Sequence, residues 1–249
     1  MHPLTRTVVL IATLLLTLCT PLLATPYQEI DTQLLKAMLD KDKSILLVYP
    51  LSKIEYNDLH IAGSIFIPLD ELKKKLPTDH ARPLVFYCLG EKCTASWRAA
   101  EIAANLGYQR VYAYRAGLPA WVAAGYPTAS IEALPKTQVK KISTKELQQH
   151  LQNDANFVLL DTSLEADAEK FRIDSPKRIY IPFEELHDRY REIPRDKQIA
   201  VLCLKGTRAP TAVRFLTAKG FSNVLSVEGG IEQWIREKKP VMRGERSKN

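Results

Sequence analysis

Residues 201–210, Val-Leu-Cys-Leu-Lys-Gly-Thr-Arg-Ala-Pro, gather the parts of a nucleophilic site in one run. Cys203 ends an apolar stretch and supplies a thiol. Pro210 suits the first turn of a helix, where its missing amide costs nothing. The loop between them wraps the sulfur, while the helix N-terminus turns free amides and the positive end of its dipole inward. Gly206 permits the tight turn, and Lys205 and Arg208 add positive charge. Such surroundings lower a thiol pKa and cradle an anion carried on the sulfur. A persulfide fits that cradle, but so do a cysteinyl phosphate and an oxyanion, so the transferred group stays open at this level.

A distorted copy stands at 85–96, Val-Phe-Tyr-Cys-Leu-Gly-Glu-Lys-Cys-Thr-Ala-Ser. Its thiol is Cys88. No arginine occupies the position equivalent to Arg208. Lys92 is the nearest cation, and Glu91 beside it opposes anion binding. A second thiol, Cys93, follows five residues after Cys88. Three readings of it compete: a small buried hydrophobe, a thiol that resolves a sulfenate or persulfide on Cys88 as a disulfide, and a sulfur acceptor in a relay. A metal site would need more ligands than nearby His60 can offer, so no metal is expected, and no cofactor.

The elements that must position these thiols come twice. Residues 30–35 match 142–147, 45–49 match 157–161, 67–72 match 181–186, and 107–121 match 220–234, with Cys88 matching Cys203 between them. From Cys88 to Trp121 there are two residues more than from Cys203 to Trp234, and they fall in the Cys88 loop. Each copy shows a helical pattern, then short apolar runs at 45–49, 65–67, 84–87 and 110–114, or 157–161, 179–181, 199–202 and 223–227. An Ala-rich amphipathic helix lies between the last two, closed by Gly107 or Gly220. Apolar strands alternating with helices predict an α/β fold of two tandem domains, each a parallel sheet with helices on both faces. Ligands of such sheets bind beyond the carboxyl ends of the strands, where Cys88 and Cys203 stand. The expected division is a first domain at 25–127, a linker at 128–141, a second domain at 142–240 and a basic tail at 241–249.

Residues 1–24 carry Arg6, an apolar stretch from Val8 to Leu18, a helix-breaking Pro21 and small residues around Ala24. This is the pattern of a secretory signal cleaved after Ala24, which predicts export to the periplasm or beyond. No later run approaches membrane-spanning length. The remaining cysteines, Cys88, Cys93 and Cys203, are too few to frame the fold with disulfides. The net charge of +7 owes much to the tail, and without interleaved aromatics it does not argue for nucleic acid.

The chain resembles the rhodanese, or thiosulfate sulfurtransferase, family across nearly all of residues 25–249. The second half carries the active-loop pattern as Cys203-Leu204-Lys205-Gly206-Thr207-Arg208-Ala209, and Val-Glu-Gly-Gly-Ile-Glu-Gln-Trp at 227–234. The first half carries His60-Ile61-Ala62-Gly63-Ser64, Glu55-Tyr56 before it, and Arg-Ala-Gly-Leu-Pro-Ala-Trp at 115–121. The resemblance implies a cysteine persulfide on Cys203, and on Cys88 as a secondary site. It implies a small donor such as thiosulfate or a persulfide, and a thiol or protein acceptor. Arg208 and Lys205 would stabilise charge there, the amides of 204–209 would cradle the outer sulfur, and Lys92 would be the cation of the first loop. Six residues from Cys203 to Arg208 is the length that such a resemblance links to sulfur, whereas related phosphatases have longer loops. The alternatives are a non-catalytic binding or sulfur-carrier module, and a thiol redox protein built on Cys88 and Cys93.

Each copy departs from the family pattern. Val48-Tyr49-Pro50 replaces an Asp-x-Arg pair in the first half. The second half keeps the acid as Asp161 but has Ser163 where the arginine is expected, and reads Phe-Arg-Ile-Asp-Ser-Pro-Lys-Arg-Ile at 171–179 in place of the His-x-x-Gly motif. His60 is expected to shape a turn, Trp121 and Trp234 to anchor the core, Asp161 to hold backbone, and Tyr49 to fill the space of the missing pair.

Overall fold

The computed structural model describes residues 26–244. The expected signal segment at 1–24 lies outside them. The first domain runs β1 (Gln28–Glu29), α1 (Thr32–Lys41), β2 (Leu46–Tyr49), α2 (Lys53–Asp58), β3 (His60–Ile61), β4 (Ile65–Phe66), α3 (Leu72–Lys75), β5 (Leu84–Tyr87), α4 (Ala95–Asn105), β6 (Val111–Tyr114), α5 (Gly117–Ala123) and β7 (Thr128–Ala129). The second repeats the plan with β8 (Lys141–Ile142), α6 (Thr144–Asn153), β9 (Phe157–Asp161), α7 (Glu165–Ala168), β10 (Phe171–Arg172), β11 (Arg178–Tyr180), α8 (Leu186–Arg189), β12 (Gln198–Leu202), α9 (Ala209–Ala218), β13 (Val224–Val227), α10 (Gly230–Arg236) and β14 (Met242–Arg243). The two sheets, β1-β6-β5-β2-β4 and β11-β9-β12-β13-β8, are parallel throughout.

The central strands are apolar on both faces because both faces are covered. All four residues of β5 are buried, and so are all five of β9. Burying a Val, Leu or Phe side chain contributes roughly 1.5–3 kcal/mol, so these strands form the cores. On α4, Ala99, Ala100 and Ala103 let the helix lie close on the sheet, and Val213, Phe215 and Leu216 fill the equivalent layer on α9. Ser143 and Glu146 form a reciprocal capping box at the start of α6, while Asp31 caps α1. The helices before Gly107 and Gly220 end there as expected, with Tyr108 N–H donating to Ala103 O and Phe221 N–H to Leu216 O.

Each domain ends in a clasp that its sequence did not suggest. Thr128–Ala129, expected in the linker, pairs antiparallel with His60–Ile61, and Met242–Arg243, expected in the tail, pairs with Phe171–Arg172. Trp121 Nε1 donates to Pro127 O at 2.9 Å and Trp234 Nε1 to Pro240 O at 2.8 Å. Both indoles are thus core anchors that also hold the departing chain on its own domain. Two-residue strands are too short to leave a periodic signal, which is why the linker and tail extended over them.

The domains meet through α2. Ile54 is buried in the core cluster of the second domain with Ile181, Phe183 and Leu186. Around it, Lys53 pairs with Asp188 (3.1 Å), Asp58 with Arg214 (3.2 Å), and Lys219 with Glu132 (2.6 Å). This contact fixes how the two cysteine loops stand relative to each other.

Candidate active site

Cys203 follows the last residue of β12, at the carboxyl edge of the sheet, and is 5% exposed. Its loop runs directly into α9, whose N-cap Arg208 makes no side-chain cap bond, so the first-turn amides have no such partner. A cavity of about 140 Å³ opens on the thiol, lined by Thr162, Ser163, Leu164, Asp167, Leu204, Lys205, Thr207 and Arg208 as well as Cys203. Cys203, Leu204, Lys205, Thr207 and Arg208 are therefore brought together as the sequence suggested. Gly206 instead packs on the backbone of Gly229 and Gly230, and Ala209 is buried in the core beside Cys203. The Gly-Gly signature has a local reason: Ile231 N–H donates to Cys203 O (3.1 Å) and Glu232 N–H to Leu204 O (3.0 Å), so the loop lies directly against α10.

Part of the frame behind this site escaped the sequence reading. The arginine missing beside Asp161 comes from β11. Arg178 Nε and Nη2 reach Asp161 Oδ2 at 2.9 and 2.8 Å, and the Asp161 carboxylate is completely buried. Its other oxygen accepts the Ser163 N–H at 3.0 Å, so the carboxylate also holds the backbone of Ser163 in the cavity wall. Ser163 Oγ itself is buried with no hydrogen-bond partner among the described residues. It offers an unspent donor beside Cys203. No local signal could have found Arg178, which stands opposite Leu159 on a strand that neighbours β9 only in the folded sheet.

Arg208 is placed differently from a free loop cation. Its Nη1 pairs with Glu184 Oε1 at 2.8 Å, and its guanidinium lies over Phe183. Burial works against its charge, but Glu55 of the first domain and Glu184 outweigh burial and hold it above its ordinary value. Glu55 is buried at the start of α2, held by Ser52 Oγ (2.8 Å) and Tyr49 Oη (3.4 Å). Burial raises its pKa, and Arg208 opposes that rise. Tyr49 does occupy the strand end where the first half lacks its Asp-x-Arg pair, and there it contacts Glu55. A polar line therefore runs from the end of β2 to the Cys203 loop: Tyr49, Glu55, Arg208.

Cys88 follows β5 as Cys203 follows β12, and it is fully buried. Its Sγ lies 3.4 Å from Ser96 Oγ and 3.5 Å from Cys93 O. The neighbouring Cys93 side chain first, then the hydroxyl and amide of Ser96 and the amide of Gly90, outweigh burial and hold the Cys88 thiol below the ordinary thiol range. The same pairing pushes the Cys93 thiol up. The donors replace the arginine that the sequence found wanting here. Lys92 and Glu91 are exposed on the loop. His60 stacks on Tyr56 with ring centroids 4.0 Å apart and bonds Tyr56 O through Nδ1, the turn-shaping role expected of it. A larger cavity of about 350 Å³ beside α1 and Trp121 touches neither thiol. Among the described residues, no group of three or more His, Cys, Asp or Glu could hold a metal, and no helix is long and apolar enough to cross a membrane.

This arrangement predicts a titration. In a Cys203→Ser background, the ultraviolet absorbance of thiolate should rise in a step below the ordinary thiol range, from Cys88. Cys93→Ser keeps an O–H donor and should leave the step low. Cys93→Ala should move it upward toward the ordinary thiol range. A step that ignores Cys93→Ala would remove that thiol as the cause.

Residues 31–124 and 143–237 each match the family described as Rhodanese-like domain. A sulfurtransferase of Allochromatium vinosum is 29% identical over 104 residues, covering 42% of this chain and 95% of its own. The thiosulfate sulfurtransferase GlpE of Pseudomonas syringae pv. syringae is 31% identical over 99 residues, covering 39% of this chain and 89% of its own. Each of these relatives spans less than half of the chain, about one domain. Among solved structures, a rhodanese-related protein of Thermoplasma volcanium matches 41% of this chain and 97% of its own, at 33% identity and a TM-score of 0.37.

Proposed function

Because the chain belongs to the rhodanese-like domain family through both halves, we propose that it is a sulfurtransferase working through a persulfide on Cys203. The observation that carries this reading is the Cys203 loop. It holds a thiol at a strand end, inside six residues that close on a helix N-terminus, facing a cavity walled by Ser163, Lys205 and Arg208.

The chemistry has two halves. The Cys203 thiolate attacks the outer, sulfane sulfur of a small donor such as thiosulfate. The donor S–S bond breaks, and sulfite leaves with the electron pair. The outer sulfur of the resulting persulfide anion points at the amides of the loop and the start of α9, which stabilise its charge. Lys205, exposed at the rim, favours an anionic donor, and Ser163 Oγ can donate a hydrogen bond to its oxygens. An acceptor thiol or other nucleophile then attacks the outer sulfur and the Cys203 thiolate leaves. The reading includes export: the mature chain would begin at Thr25, which N-terminal sequencing of the protein from the producing cell checks.

Incubation with thiosulfate should add one sulfur to the Cys203 peptide. Cys203→Ala should lose that mass gain and cut sulfur transfer to cyanide about 1,000-fold or more, as removal of a nucleophile does. If Cys203→Ala transfers sulfur as fast as the parent chain, the assignment is wrong.

A further inference from the structure

The first loop differs from the second in one chemical respect that the transfer reaction does not use: it packs two thiols into one cluster. Cys88 and Cys93 are both free, and both pack into the same cluster with Tyr49, Tyr87 and Trp121. The two extra residues of this loop carry Cys93 back over Cys88. A turn closed by Cys93 N–H to Gly90 O (2.9 Å) holds it there, and Cys88 Sγ lies 3.5 Å from Cys93 O. The second loop has no counterpart to Cys93, so a persulfide on Cys203 waits for an outside acceptor.

We infer that the first domain discharges sulfane sulfur as sulfide, Cys93 attacking a persulfide on Cys88 to close a Cys88–Cys93 disulfide. This rests on the sulfurtransferase reading of the fold and extends it to a second, reductive activity. The step balances within the chain. Cys88 first takes an outer sulfur from a low-molecular-weight persulfide, whose own thiolate leaves. Cys93 sulfur then attacks Cys88 Sγ, and a new S–S bond forms. The bond from Sγ to the outer sulfur breaks, and that sulfur departs with the electron pair as hydrosulfide, carrying the proton that Cys93 gave up. The sulfane sulfur is reduced, and the two cysteine thiols are oxidised to the disulfide. An external dithiol resets the pair by thiol–disulfide exchange.

The walls of the first loop select the donor. Tyr49, Tyr87 and Ser96 surround Cys88, no arginine belongs to the loop, and Glu91 sits on it. Arg208 approaches from the other domain but is engaged by Glu184 and Glu55. A dianion such as thiosulfate meets little positive charge there, whereas the outer sulfur of an alkyl persulfide brings a neutral or singly charged group. Cys93 O already lies 3.5 Å from Cys88 Sγ and both side chains pack into one cluster, so the attacking atom needs only a local side-chain movement.

The test uses the full chain carrying Cys203→Ser, glutathione persulfide as donor, and no added reductant. Supporting results are release of about one sulfide per chain beyond the background, loss of the Cys88 and Cys93 thiols to titration, and a mass lower by two hydrogens in the linked Cys88 and Cys93 peptides. Cys93→Ser in the same background should hold one added sulfur on Cys88 and release no such burst. A persulfide that persists on Cys88 with the Cys93 thiol intact overturns the inference, and so does sulfur found on Cys93 instead. Failure of Cys88 to take sulfur in the Cys93→Ser chain overturns it as well. Loading of Cys203 by thiosulfate in the parent chain is measured separately, so the sulfurtransferase reading stands or falls on its own result.

Discussion

Arg178→Met should destabilise the second domain by about 3–5 kcal/mol, the usual cost of removing one partner of a buried ion pair. The carboxylate left behind cannot escape to water, because Asp161 has no exposed surface. Both Nε and Nη2 of Arg178 serve its Oδ2, so a single substitution removes two charge-assisted bonds at once. The second oxygen still accepts the Ser163 N–H, which fixes one end of the carboxylate and limits relaxation. Asp161→Asn in the Arg178→Met chain keeps that acceptor and removes the stranded charge, so it should recover a large part of the loss. Trp234 is the sole tryptophan of residues 142–240. In a Trp97→Phe, Trp121→Phe background its fluorescence therefore follows this domain alone through guanidinium unfolding. A single-substitution loss under about 1 kcal/mol, or no recovery in the double variant, would show that the pair does not hold the site wall.

Arg178 also marks where the sequence stops being legible. The duplication, the apolar strands and the cysteines at strand ends are all local or repeated patterns, and they located both parallel sheets and both loops. The ion pair is not local. It joins two strands that neighbour each other only after a crossover, so its spacing of 17 residues carries no motif. The expectation of an arginine at Ser163 was silent about Arg178, which partners Asp161 instead. The role of Glu55 was hidden for a similar reason. Beside Tyr56 it looked like part of a family signature, but its partner Arg208 belongs to the other domain. Ile54 sits in that other core on one helix turn that no hydrophobic period could single out. The Cys88 environment was half visible. The missing loop arginine was plain in the sequence, while the thiol, hydroxyl and amides that take its place depend on how the longer loop folds back.

Gly230→Ala should disable the Cys203 site more severely than Gly220→Ala, although it leaves the nucleophile itself in place. A Cβ at this position would lie 2.1 Å from Cys203 O and 2.6 Å from both Gly206 N and Leu204 O, and all three atoms are backbone that no side-chain rotation can clear. The loop and α10 must therefore separate, which breaks the Ile231 N–H bond to Cys203 O and moves the nucleophile away from its amides. A displacement of about 1 Å at a reacting group costs on the order of 100-fold in rate. Gly220→Ala separates this effect from simple backbone strain. Its φ of +87° is as unfavourable to alanine as the +61° of Gly230, but its Cβ would meet only the end of the flexible Arg195 side chain at 3.4 Å. That variant should lose about 1–2 kcal/mol of stability and keep its sulfur transfer. Gly117 repeats the geometry in the first domain, where an added Cβ would lie 2.2 Å from Cys88 O. Gly117→Ala should therefore abolish the low-pH thiolate step of Cys88 while leaving persulfide formation on Cys203 intact. Equal activity in the Gly230→Ala and Gly220→Ala chains would mean that close packing of the loop on α10 does not set the position of Cys203.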